Sequence, residues 1–101
     1  MAKGYWIAHV EVTDPEGYKI YIAANAAAFA KYGGRFLVRG GGHVVAKGDV
    51  KPRQVVIEFS DYAAALACLE SEEYKRAAAF RDAASVIDLV VAEGYDGPQP
   101  A

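Results

Sequence analysis

The chain has 101 residues, a length for one domain with a modest core. Hydrophobic residues make up 53% of it, and 11 Lys and Arg against 13 Asp and Glu leave a formal net charge of −2, which argues against a basic nucleic-acid surface. The single cysteine, Cys68, excludes an internal disulfide and suits a reducing cytoplasm, and no run approaches the ~18 apolar residues of a membrane span, so a cytoplasmic protein without a membrane or nucleic-acid partner is expected.

"YWIAHVEV" (Tyr5 to Val12) is rich in β-branched and aromatic residues and predicts a strand. Asp14 and Pro15 then mark an N-cap and a first helical position. Tyr18, Ile22, Asn25 or Ala26, Phe29 and Tyr32 follow at helical spacing, and Gly33 and Gly34 end the helix. "RFLVRG" predicts a second strand, with "HVV" as its continuation and a turn around Gly48 and Asp49. Gln54 to Phe59 is the third strand, with Pro52 near the turn. Ser60 or Asp61 caps the run "YAAALACLESEEYKRAAAFRDAA", inside which Ser71 looks like a second N-cap, so a break is expected near residues 70–72. Val86 to Glu93 is the last strand, and 97–101 is expected to be a flexible tail beyond a single domain at 1–96.

The order β-α-β-β-α-β predicts an α+β, ferredoxin-like fold with an antiparallel sheet ordered 4-1-3-2. Two helical runs can cover only one face of that sheet. The other face lacks clean polar alternation: Tyr5, Ile7 and His9 stand opposite Trp6, Ala8 and Val10, and Val56 and Val90 join the same side as Glu58 and Asp88. A second copy covering this open face about a two-fold axis is the simplest closure, so a homodimer is expected.

"KGYWIAHVEVTDPEGYKIY", "FAKYGGRFLVRGG", "VVIEFSDYAAALACLESEEYKRAAAFRDAA" and "DLVVAEGY" together resemble the domain-of-unknown-function family 1330 over nearly the whole chain. The resemblance rests on "YGGRFLVRGG", "VVIEF", the serine-x-glutamate-tyrosine that ends at Tyr74, and Arg81 seven residues later. It implies a dimeric α+β barrel of ferredoxin-like subunits and assigns no reaction. The family commonly has arginine where this chain has His9. The wider superfamily includes cofactor-independent monooxygenases and small-molecule isomerases with pockets between sheet and helices, which bears on this chain by fold analogy alone.

Several polar residues interrupt apolar strands. A hairpin about residues 48–51 would place Arg39 near Glu58 or Phe59, with Gly40, Gly41 and Gly42 accommodating a β-bulge. Arg39 and Glu58 are then expected to pair, either to hold the hairpin or to clamp an anion or carbonyl at a pocket. His9 is either a satisfied strand histidine or, beside Glu58, a base working near neutral pH. Tyr74 and Arg81 share a helix face, packing on the sheet and capping the helix, or offering a hydroxyl and a cation to a ligand. His9 and Glu58 are therefore the candidate catalytic residues, and Arg39, Tyr74 and Arg81 the candidate ligand-binding ones. No metal and no cofactor is expected: there is no H-E-x-x-H, no paired cysteines, and "RGGGH" lacks the ending of a phosphate loop. The sequence predicts a small-molecule-binding homodimer, an enzyme of monooxygenase or isomerase type by analogy only, with a non-catalytic dimeric module as the alternative.

Overall fold

Side-chain alternation builds the sheet. In β1 (Gly4–Val12), Trp6, Ala8 and Val10 are buried while Tyr5, Ile7 and His9, on the other side, are half-buried. The computed structural model, which describes residues 2–100, continues with α1 (Pro15–Tyr32), β2 (Arg35–Arg39), β3 (Arg53–Phe59), α2 (Tyr62–Glu70), α3 (Glu72–Ala84) and β4 (Ser85–Glu93). The four strands form one antiparallel sheet ordered β2-β3-β1-β4, which is the expected 4-1-3-2 order read from its other edge. Of the tail expected at 97–101, Ala101 lies outside the described residues.

The helix boundaries follow their local chemistry. Asp14 occupies the N-cap of α1, but its carboxylate makes no capping bond; its carbonyl accepts from Tyr18 N instead (2.9 Å). Gly33 closes the helix at φ 74°, a left-handed conformation that costs glycine little. The break near residue 71 is present. Ser71 Oγ donates to the Cys68 carbonyl (2.6 Å) and accepts from Tyr74 N (3.1 Å), so one side chain ends α2 and starts α3. Asp61 caps α2 by accepting from Ala64 N (2.7 Å).

All three helices pack on the Trp6 face of the sheet. Trp6, Phe29, Phe59 and Tyr74 meet ring to ring, with centroids 4.6–6.4 Å apart. Such aromatic contacts add to the hydrophobic burial itself. Trp6 also donates its indole N–H to the Ala65 carbonyl of α2 (2.9 Å). Cys68 is fully buried, and burial, helped by the Glu73 carboxylate, pushes its thiol pKa up to about 12, which makes it a packing residue rather than a nucleophile.

The β2–β3 hairpin departs from expectation. The continuation of β2 through His43 and Val44 does not form; 40–52 carries no strand, and Val44 is 90% exposed. The bulge lies at Leu37, between Phe36 and Val38, and not at the three glycines. Arg39 pairs with Val55, three residues from Glu58 along β3. An odd displacement reverses the face. Arg39 and Glu58 therefore stand on opposite sides of the sheet, and the expected pair does not exist. Glu58 meets Arg35 instead, at 3.4 Å.

Gly4 shows how closely α2 abuts the sheet. A Cβ added there would lie against the Asp61 carbonyl and 2.8 Å from Tyr62 Cα. Gly41 faces open space. Gly4→Ala should therefore cost about 1–3 kcal/mol in urea denaturation, whereas Gly41→Ala should stay within about 0.5 kcal/mol. An unchanged midpoint for Gly4→Ala would contradict this packing.

Candidate functional site

The cross-strand row Arg39–Val55–Ala8–Leu89 runs across the helix-facing side of the sheet. At its centre the Ala8 methyl leaves space that the larger side chains of α1 do not fill. The result is a cavity of about 30 Å³ between sheet and helices, room for one or two waters. Ala8, Val10 and Val55 form its floor, Tyr18, Tyr21 and Asn25 of α1 its roof, and Phe36, Arg39 and Arg53 one side.

Three polar side chains form a chain at the back of this space. Arg81 donates from Nη1 to the Tyr74 hydroxyl (3.0 Å), and the Tyr74 and Tyr21 hydroxyls lie 2.7 Å apart. Asp82 holds the same guanidinium through Nε and Nη2, each 2.9 Å away. The expected neighbours Tyr74 and Arg81 thus do meet, with Tyr74 on the cavity wall and Arg81 behind it. Burial raises the pKa of both phenols, and the mutual Tyr21–Tyr74 contact raises that of Tyr21 further. Both are therefore neutral hydrogen-bonding groups near neutral pH. One phenolic proton serves the bond between them, which leaves the other for a ligand or a water.

Two cations flank the opposite side. The Arg39 guanidinium stacks 4.0 Å from the Phe36 ring centroid, and that of Arg53 lies 5.5 Å from the Tyr18 ring. Neither is in an ion pair among the described residues. The sequence expectation of a third strand over Gln54 to Phe59 omits Arg53, which is the first residue of β3. The alternation Phe59, Ile57, Val55 carried back one step reaches Arg53 and puts it on the core face. Asn25 was visible only as a member of a helical stripe.

His9 and Glu58 occupy the other face of the sheet. His9 Nδ1 donates to Gln54 Oε1, and Glu58 accepts from Tyr5 Oη (3.1 Å) and pairs with Arg35. His9 is level with Gln54, four residues along β3 from Glu58, or about 13 Å at strand rise. The two share a face but do not form an acid–base pair. Among the described residues, no group of three or more His, Cys, Asp or Glu side chains could hold a metal ion, and no helix is long and apolar enough to cross a membrane.

The raised phenol pKa values set a direction for alkaline stability. A folded pKa above the unfolded value gives stability that is complete below the ordinary value of 10.0 and is lost as pH rises through the folded value. Absorbance at 295 nm should show Tyr21 and Tyr74, two of the seven tyrosines, ionising only together with loss of the far-UV signal. Reversible ionisation of all seven in the folded protein below pH 11 would contradict this.

The fold has solved counterparts. A protein of unknown function from Rhodopseudomonas palustris, RPA0582, superposes with a TM-score of 0.74 at 17% identity, covering 95% of this chain and 85% of that one. Its methylated form gives 0.73 at 16% identity, covering 97% and 84%. SnoaB, a cofactor-independent oxygenase from Streptomyces nogalater, gives 0.61 at 18% identity, covering 99% and 97%. At these identities the likeness is one of fold. No curated protein matches the sequence. The family model described as Domain of unknown function (DUF1330) matches residues 3–95, and the chain belongs to that family.

Proposed function

We propose that the protein is a homodimer that binds a small molecule in the cavity between its sheet and helices. The observation that carries this is the convergence of Arg39 and Tyr74 on a largely apolar hollow, the usual composition of a ligand site. Arg81 holds the Tyr74 hydroxyl in place from behind. The cavity as it stands admits only one or two waters. A ligand enters by displacing the side chains at its side, where Arg39 is exposed and stacks on Phe36. The likeness of fold to a cofactor-independent oxygenase supports a small-molecule role. The lining has no His, Asp, Glu or Cys to accept a proton near neutral pH, so binding is the function the geometry favours over base catalysis.

The dimer would close the open face. Val38, Val56, Ile7 and Val90 form one apolar row across all four strands. The polar residues on either side of that row are satisfied within the subunit: Arg35–Glu58–Tyr5 on one side, His9–Gln54 and Lys51–Asp88 on the other. A partner sheet can therefore meet the row without stranding a charge. His9 and Glu58 act in this arrangement as internally paired interface residues. The small size of the cavity favours a second reading, a dimeric structural module without a ligand.

Thermal-shift screening of wild type and Ala8→Leu separates the two. A ligand at a hundred times its Kd adds about 2.7 kcal/mol, a rise on the order of ten degrees for a chain of this size. That rise should vanish in Ala8→Leu, whose added side chain fills the cavity; equal responses, or none in wild type, would favour the structural module. Sedimentation at micromolar concentration should show a dimer that Val90→Lys weakens at least tenfold. A monomeric wild type would sink the dimer.

A further inference from the structure

Among the described residues, Arg53 is a cation that no ion pair neutralises. Its Nε is buried without a hydrogen-bond partner, and its guanidinium is in contact with the Tyr18 ring and the Gly40 backbone rather than with a carboxylate. Gly40, at φ 67°, leaves the guanidinium its place: a Cβ there would lie 2.8 Å from Arg53 Cζ. A second unpaired guanidinium, Arg39, lies on the same face opposite Val55, two residues along β3. Two like charges beside an apolar hollow, one with an unused buried donor, are costly to hold. That cost is offset when an anion enters.

We propose that the cavity recognises a small apolar carboxylic acid, its carboxylate held by Arg53 and Arg39 and its apolar body lying over Ala8 toward Tyr74. The proposal rests on the cavity being the binding site, as argued above, and adds the class of ligand. Guanidinium forks match a planar carboxylate through paired N–H donors. Phosphate fits less well, because phosphate sites commonly supply backbone N–H groups. The Gly40 N–H, beside the Arg53 guanidinium, already donates to the Gln54 carbonyl (2.8 Å). The Tyr21–Tyr74 pair has one phenolic proton left over, which suits a neutral oxygen on the same molecule.

Calorimetry with benzoate and phenylacetate, each against its own neutral amide and against inorganic phosphate, tests this. The acids should bind at least tenfold more tightly than the amides and than phosphate, and weaken as salt is raised. Arg53→Met should lose at least tenfold in acid affinity, with Arg53→Lys in between, and Arg39→Met should lose a smaller factor. Because Arg53→Met removes an unsatisfied buried group, its ligand-free unfolding midpoint should rise by about 4 °C or more. A lower midpoint with acid binding retained would overturn the proposal and make Arg53 a brace of the hairpin. Amides binding as tightly as acids, with both lost in Ala8→Leu, would overturn the carboxylate while leaving the cavity as a binding site. Phosphate binding as tightly as the acids would overturn the carboxylate in the same way. Failure of every probe in wild type would overturn the carboxylate proposal, and the neutral ligand screen on Ala8→Leu would then decide the cavity separately.

Discussion

Trp6 lies where all the layers meet. Its indole N–H is bound by α2 at Ala65, and its ring packs against Phe29 of α1, Phe59 of β3 and Tyr74 of α3. A buried indole without an acceptor would carry an unmatched donor, so the Ala65 carbonyl fixes where α2 must sit. The ring then sets how far α1 stands from the sheet. With α1 propped on this cluster at one end, the Ala8 end beneath Tyr21 and Asn25 is left incompletely filled. The cavity is thus a consequence of placing a large ring and a methyl two residues apart on one face of β1.

The second decisive feature is the bulge at Leu37. One extra residue in β2 changes the side on which every following side chain emerges. Without it Arg39 would fall opposite Gln54 on the open face, in the row of His9 and Asp88. With it, Arg39 joins Arg53 on the helix side, and Arg35 remains opposite Glu58. The charges of the two strands are thereby sorted. The open face keeps the paired ones, which permits an apolar partner. The helix face keeps the unpaired ones, which gives the cavity its electrostatic character.

Much of this was legible in the sequence. The element order, the strand order and the helix break at Ser71 follow from alternation, helical spacing and capping residues. The contact between Tyr74 and Arg81 follows from seven-residue spacing on one helix. The partner of Arg39 did not follow, because the 13 residues at 40–52 leave the hairpin register to be set by the whole sheet rather than by a turn. "GDVK" reads as the centre of a tight hairpin, but Gly48 sits in an exposed loop, and the register it would impose is three or four residues away from the real one. Arg53 was lost for a related reason. Beside Pro52 it looks like turn sequence, although its parity with Val55 and Ile57 already placed it in the core-facing set. The cavity itself depends on the distance between α1 and the sheet, which no local pattern encodes.

Arg53 is a cation that faces the cavity with a donor to spare, and its Nε–H resonance reports on it directly. In nitrogen-15 spectra of the ligand-free protein that side-chain signal should be visible and slow to exchange, since the atom is buried. Addition of phenylacetate should move it progressively to saturation, with Tyr21 and Ala8 moving in parallel and Ile7 and Val90 on the open face unchanged. An Arg53 signal that stays fixed while the open-face residues shift would contradict the account.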